Sequence, residues 1–244
     1  MNQDSKIYDV EGYSYPDYWK GREYEKAAEE RAIRTLIGGK HFQHAVDVGG
    51  GYGRLTKFLA NFGERVDLVE PSDQQRAFAD TFLAGLPSNI LEGDLEEIPV
   101  PDGSVDLVAV FRVLHHVPDL TLSFKEVSRV LKSGGYFLLE YANSTHFKAR
   151  LKSQLSGRPI PKTPVSVAND ATVTFVNHHP ESIQEQLAGN GFVIERTLSV
   201  SNLRSQGLKR VVPHRALMGM EGMMQGSLGS LHFGPSVVLL ARKK

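Results

Sequence analysis

The 244-residue chain contains no cysteine. Disulfides, thiolate catalysis and cysteine-held zinc or iron–sulfur centres are thereby excluded. It also lacks an excess of charge of either sign, with 28 Lys+Arg against 28 Asp+Glu. A general nucleic-acid binder shows a basic excess or stripe, so nucleic acid is not an expected partner. No apolar run approaches the ~18 residues that a membrane span requires. Residues 1–21 are polar and aromatic, without the apolar core of a secretory signal. No internal repeat or low-complexity tract divides the chain. The expectation is a soluble, cytoplasmic protein with one α/β domain over 1–244, since single domains reach ~250 residues.

What the sequence does contain is an alternation. Strand-like runs at 44–48, 65–69, 89–91, 105–111 and 136–141 are separated by helix-like segments at 53–62, 73–86 and 120–131. A helical pattern over 16–38 precedes them, and a helix at 180–190 leads to strands at 192–200 and 237–241. Nearly continuous apolar strands between helices predict a mostly parallel sheet covered on both faces. Two stretches break the rhythm. Residues 143–179 are polar and carry Pro159, Pro161 and Pro164, while 202–234 carry Met218, Met220, Met223 and Met224 among glycines. Long insertions are usually lids or binding loops, so both are expected to cover the site.

The strongest local signal is AVDVGGGYGRLT at 45–56, an apolar strand that ends in glycines before a helix. Glycine lets backbone amides approach a ligand and lets the chain turn through positive φ. A dinucleotide fingerprint starting at Gly49 would need a small residue at position 54, where Arg54 stands. Asp47 at the strand end suits a ligand with a cationic ammonium group and would be a poor neighbour for a pyrophosphate. Glu70 ends the next strand about 20 residues after the glycines, the place from which a carboxylate grips ribose hydroxyls. Asp94 follows a third, short strand. Three acids at successive strand ends face the crevice in which open α/β sheets bind ligands.

These segments, with 69–72 (VEPS), 92–99 (EGDLEEIP), 106–117 (DLVAVFRVLHHV) and 128–135 (SRVLKSGG), resemble the class I S-adenosylmethionine-dependent methyltransferases of small-molecule, type 11-like kind. The likeness runs from about 40 to 142. It implies a Rossmann-like, seven-stranded, mostly parallel sheet whose last strand is antiparallel. Residues 1–40 would form a helical cover, 41–142 the cofactor-binding core, and 143–179 and 202–234 the acceptor-site lids. It implies S-adenosylmethionine as cofactor and S-adenosylhomocysteine as product. Gly49 and Gly51 would pass the methionyl part, Gly50 would occupy a variable position, and Asp47 would orient the loop. Glu70 would hold the ribose, Pro71 and Ser72 flank the adenine, and Asp94 and the Leu95 amide read it. Phe111 and Arg112 would border the methionyl group. Tyr18 or Arg22 from the N-terminal segment would meet the cofactor carboxylate, or else the segment's aromatics, with Tyr13, Tyr15, Trp19 and Tyr24, would staple its helix to the sheet.

The acceptor side is open at this level. Methyl transfer from a sulfonium is an in-line displacement that asks mainly for alignment, and a base is needed only when the acceptor must lose a proton. His115 and His116 are the candidate bases, against a structural turn as the plain alternative. His178 could point into the acceptor pocket or serve the helix that follows it. Met220 and Met223 could line an apolar roof over a small-molecule acceptor, fill core, or form a homodimer seam. Metal is not expected, because neither histidine pair has a helical i, i+4 spacing. The rival functions are a cofactor-binding sensor without catalysis and a nicotinamide-dependent oxidoreductase.

Overall fold

The computed structural model describes residues 18–169 and 173–244. In chain order its first half contains α1 (Glu23–Ile37), β1 (Phe42–Val48), α2 (Arg54–Leu59), β2 (Gly63–Val69), α3 (Asp73–Phe82), β3 (Ile90–Leu91) and β4 (Val105–Val110). The second half contains α4 (Thr121–Val130), β5 (Leu131–Ala142), α5 (Phe147–Ser156), β6 (Val165–Asn169), β7 (Val173–Asn177), α6 (Pro180–Gly189), β8 (Phe192–Val200), α7 (Gln206–Val211), α8 (His214–Ser227) and β9 (Ser236–Lys243). Seven strands form one sheet in the order β3-β2-β1-β4-β5-β9-β8. The first five pair in parallel, and β9 is antiparallel to both of its neighbours. That is the expected sheet. Strand order reverses beside β1, so the crevice between the ends of β1 and β4 is the natural ligand position.

The apolar strands explain the layers. Val108, Phe137 and Leu139 face α4 and α6 through Phe124, Ile183 and Leu187. Leu107, Leu138 and Leu240 face α1 and α2 through Ala32, Ile33 and Leu59. With both faces covered, the strands carry hydrophobic residues at nearly every position rather than at alternate ones.

Two expectations change. Within the described residues the helical pattern at 16–38 is interrupted at 19–22, where Gly21 takes φ +75°, and runs as a helix again from Glu23. The expected start at Pro16, with Tyr13 and Tyr15, lies outside the described residues. The two insertions are also more regular than their composition implies. The first holds α5 and the antiparallel hairpin of β6 and β7, and the second holds α7 and α8.

Candidate active site

The loop after β1 needs its glycines before any ligand is considered. Gly49, Gly51 and Gly53 take φ of +68°, +59° and +89°. A Cβ on Gly49 would strike the Val113 side chain, and one on Gly50 would stand 2.5 Å from both Asp47 Oδ2 and Leu68 Cδ1. The Gly51 amide donates to Glu70 Oε2 at 2.9 Å, which draws the loop onto the end of β2.

Two buried carboxylates flank this loop. Asp47 accepts from the Thr56 hydroxyl at 2.8 Å, and burial pushes its carboxyl up to about 6. Glu70 also accepts from the Ser72 amide at 3.0 Å, and burial pushes it up to about 7. Asp67, three residues before Glu70 and equally buried, is a useful contrast. Burial opposes its charge too, but His44 at 2.8 Å and Arg65 at 2.9 Å outweigh that and hold it at about 2. Asp67 is satisfied by direct partners within the protein, whereas among the described residues Asp47 and Glu70 form no salt bridge, and Arg54 and Arg76 act on them only through space. Unpaired, raised carboxylates in a crevice mark a binding site. Each Glu70 oxygen keeps a second lone pair, so a vicinal diol could donate to both. A cationic ligand bearing a ribose fits these residues.

The remaining cofactor-side residues occupy defined places. Ser72 caps α3 by accepting from the Gln75 amide at 3.1 Å, and the Pro71 carbonyl accepts from Arg76 at 2.8 Å. Asp94 Oδ1 closes a turn on the Glu96 and Glu97 amides at 2.8 and 3.0 Å. Leu95 packs into the core, which leaves only its backbone for a ligand. Phe111, just past the end of β4, packs its ring into the core cluster that includes Ala28, Ala32 and Ile33 of α1.

Arg112 stands at the end of β4 with φ +58°. Its amide donates to buried Glu140 at 3.0 Å, its Nε to Glu29 at 3.2 Å and its terminal nitrogen to the Tyr18 hydroxyl at 3.4 Å. Arg54 pairs with the other Glu29 oxygen, and both guanidinium groups lie against the Trp19 ring, at 4.0 and 4.7 Å. Arg22 lies 4.0 Å above the Tyr18 ring. The N-terminal segment is thus tied to the glycine loop and to β4 through one buried acid. Sequence reasoning missed Glu29 and Glu140 and read Arg54 only as an obstacle to a dinucleotide. A signal existed for Glu29, a charge among Ala28, Ala32 and Ile33 on the apolar face of α1.

Three of the candidate histidines meet beyond β4. His115 and His116 form a 3-10 turn with ring centroids 4.1 Å apart, and Phe175 of β7 packs on them at 4.9 and 5.1 Å. Burial, then His116, Arg112 and His178, keeps the His115 imidazole well below the usual range. His178 is buried and donates through Nε2 to the Leu114 carbonyl at 2.9 Å, clamping that turn. His179 caps α6 by accepting from the Glu181 amide at 3.2 Å. Among the described residues no histidine or acid group has the makings of a metal site.

The methionine roof requires correction. α8 lies along α1 and β8, with Met220 and Met223 turned outward at 41% and 72% exposure. Its inner stripe is Leu217, Glu221 and Gln225. Tyr24 donates to Glu221 at 2.6 Å, and Gln225 donates to the Ala28 carbonyl at 2.8 Å. Gly222 makes room for Arg31, since a Cβ there would overlap its guanidinium. Polar groups zip this helix down, so Met220 and Met223 are left for the outer face while Met218 packs against the core.

Fold and site together define a Rossmann-like domain whose crevice at the ends of β1 and β2 would fit a cationic nucleoside. Residues 46–139 match the methyltransferase domain family. A ubiquinone/menaquinone biosynthesis C-methyltransferase of Shewanella frigidimarina is 26% identical over 200 residues, 75% of this chain and 76% of that one. A probable S-adenosylmethionine-dependent methyltransferase of Mycolicibacterium smegmatis is 30% identical over 197 residues, 78% of this chain and 65% of that one. The crystal structure of an S-adenosylmethionine-dependent methyltransferase from Mesorhizobium loti superposes with a TM-score of 0.62 at 18% identity, covering 90% of this chain and all of that one (100%). The chain belongs to the class I S-adenosylmethionine-dependent methyltransferases. It is an enzyme, and its cofactor is S-adenosylmethionine.

Proposed function

We propose that the chain transfers the methyl group to a small organic acceptor standing over the ends of β4 and β5. The observation that supports this reading is the size of a space over the end of β5, beside the end of β4 in the sheet. The roots of the two insertions close on each other through Asn143, which donates to the carbonyls of His232 and Gly234 at 2.6 and 2.8 Å. What remains open beside that junction is a cavity of about 420 Å³, within the range of small-molecule pockets. A macromolecular acceptor would want an open trough.

Bound at the glycine loop, S-adenosylmethionine supplies a methyl on a positively charged sulfur that leaves readily. The protein then has to align and to exclude water. Asp47 and Glu70 would hold the cofactor by charge and by its diol, with Gly49, Gly50 and Gly51 giving it room and the Asp94 turn and Leu95 backbone bordering its base. Pro71 and Ser72 would fix the edge of that base site. Arg112, locked by Glu29 and Glu140, would fix the end of β4, and Tyr18 with Arg22 would close the near side. Phe175 would screen the reacting centre from solvent. His115 is the proposed base for an acceptor that must lose a proton, because it follows β4 and lies against Phe175, where burial favours the neutral ring a base must start from. His116 would keep that ring in place, and His178 would position the turn that carries both.

The test is transfer of isotope-labelled methyl from the cofactor across a metabolite panel, by the wild type and by His115→Asn. Turnover that falls at least about 10²-fold in the variant, with cofactor affinity kept, supports a base at this position. Turnover unchanged in the variant assigns His115 to structure. Binding of cofactor with no turnover of any panel member would favour a sensor.

A further inference from the structure

The cavity between the two insertions has an uneven chemistry. Among the described residues His146, Lys148 and Arg204 line it, and no carboxylate does. In a chain with equal numbers of acids and bases, such a wall is a local choice. Neither Lys148 nor Arg204 forms an ion pair among the described residues. Their charges, after burial, add to the lowering of His146. His146 Nδ1 accepts from the Ala149 amide at 3.4 Å, so its proton sits on Nε2 as a further donor. The first turn of α5 brings the positive end of its dipole to the same wall.

The opposite character is present alongside. Phe147 and Phe233 stack with centroids 5.0 Å apart and planes 26° apart, and Phe147 is 51% exposed. The far wall is stiff. Ser201 is held at φ +60°, a conformation unusual for a residue with a side chain. Buried Glu221 keeps it there by accepting from the Ser201 and Asn202 amides at 2.8 and 3.1 Å. Strain maintained by a buried carboxylate is a mark of a wall shaped for contact. Position completes the case. With neighbouring strands about 4.8 Å apart, a cavity over the ends of β5, β9 and β8 lies roughly 5–15 Å across the sheet from the end of β4. A small molecule anchored here would reach the methyl.

We propose that this cavity binds the anionic end of the acceptor, a carboxylate, phosphate or sulfonate, with a planar apolar body lying on the Phe147–Phe233 stack. The proposal deepens the small-molecule reading above and rests on it. Lys148 and Arg204 supply charge, and the His146 Nε2–H supplies a neutral donor.

A matched pair of fluorescent probes isolates the charge. 1-Anilinonaphthalene-8-sulfonate and N-phenyl-1-naphthylamine share one aromatic body, and only the first carries an anion. They are titrated into the full chain in the presence of saturating S-adenosylhomocysteine. The expected result is one saturable site that takes the sulfonate at least about tenfold more tightly, the scale of one charged hydrogen bond. Lys148→Gln and Arg204→Gln should each weaken the sulfonate several-fold and leave the neutral probe unchanged, whereas Phe147→Ala should weaken both. All three positions are exposed, so the variants keep the fold. Equal affinity for the two probes overturns the proposal, as does a double Gln variant that binds the sulfonate like wild type, or no saturable site. Calorimetry of S-adenosylhomocysteine on the same samples keeps the two readings apart. Loss of cofactor binding would count against the assignment at the glycine loop, and the probe result would still decide this cavity.

Discussion

The two halves of the sheet assemble their chemistry differently. In the half formed by β1 to β4, the acids and the arginine proposed for the cofactor lie within a few residues of a strand's carboxyl end. Asp47 lies at the end of β1 with the glycines after it, Glu70 follows β2, Asp94 follows β3 and Arg112 follows β4. Parallel strands all end on one side, so a repeating pattern along the chain becomes a single site. In the half formed by β5 to β9, partners come from remote segments. Tyr24 meets Glu221 across 197 positions, and Asn143 meets Gly234 across 91. The lesson is that cofactor recognition is written into strand ends, while acceptor recognition depends on how insertions fold back. Insertions can change without disturbing the sheet, which is why one fold serves many acceptors.

If that division is real, damage to one half should leave the other's ligand untouched. The largest effect is expected at Gly51, whose φ of +59° a β-branched residue resists and whose amide serves Glu70. Gly51→Val should abolish S-adenosylhomocysteine binding in calorimetry while the chain stays folded by circular dichroism. A variant that binds normally would show the loop to be only a turn. Next comes Glu70→Ala, which should cost about 1.5–3 kcal/mol of cofactor binding, the range for hydrogen bonds to charged groups. Unchanged affinity would remove Glu70 from the site.

The same residue sharpens the comparison through pH. Asp47 and Glu70 are raised to about 6 and about 7. A carboxyl raised above its unfolded value favours the folded chain at low pH, and that contribution is lost as pH climbs from about 4 to about 7. The free chain should therefore lose part of its stability over that window. Cofactor binding needs the ionised form, so affinity should rise about tenfold from pH 6 to pH 8. The rise should come with proton release, visible in buffers of different ionisation enthalpy, and should flatten in Glu70→Gln. A flat profile in the wild type would mean that Glu70 is already ionised in the free protein.

The smallest effect on the cofactor belongs to the other half. Glu221→Ala orphans the buried Tyr24 hydroxyl and the Ser201 and Asn202 amides. It should cost about 1–3 kcal/mol of stability per unsatisfied group, read as a lower melting temperature. Cofactor affinity of the folded fraction should be unchanged. A fall in cofactor affinity would mean that α8 is coupled to the glycine loop, and the division would fail.

Legibility followed the same line. Continuous apolar runs announced the strands, and the segments at 192–200 and 180–190 correspond to β8 and α6. Glycines followed by spaced acids announced the crevice. The insertions read poorly because their burial does not follow hydrophobicity. α8 buries Glu221 and Gln225 and exposes Met223, the inverse of what a periodicity argument expects. α5 buries no residue fully, so nothing in its pattern locates it on the sheet.

The sequence by itself determined that this is a doubly covered parallel sheet with a cation- and ribose-suited crevice, because strand burial and glycine turns are local consequences of residue type. Only the tertiary structure decided which acids are left unpaired. Asp67 lies in β2 and Glu70 just past its end, and their carboxyls shift in opposite directions because His44 and Arg65 reach one and not the other. Only the tertiary structure, likewise, joined Glu29 to Arg54 and Arg112 and set Lys148 beside Arg204. Those pairings depend on long-range packing, whose register no local pattern encodes.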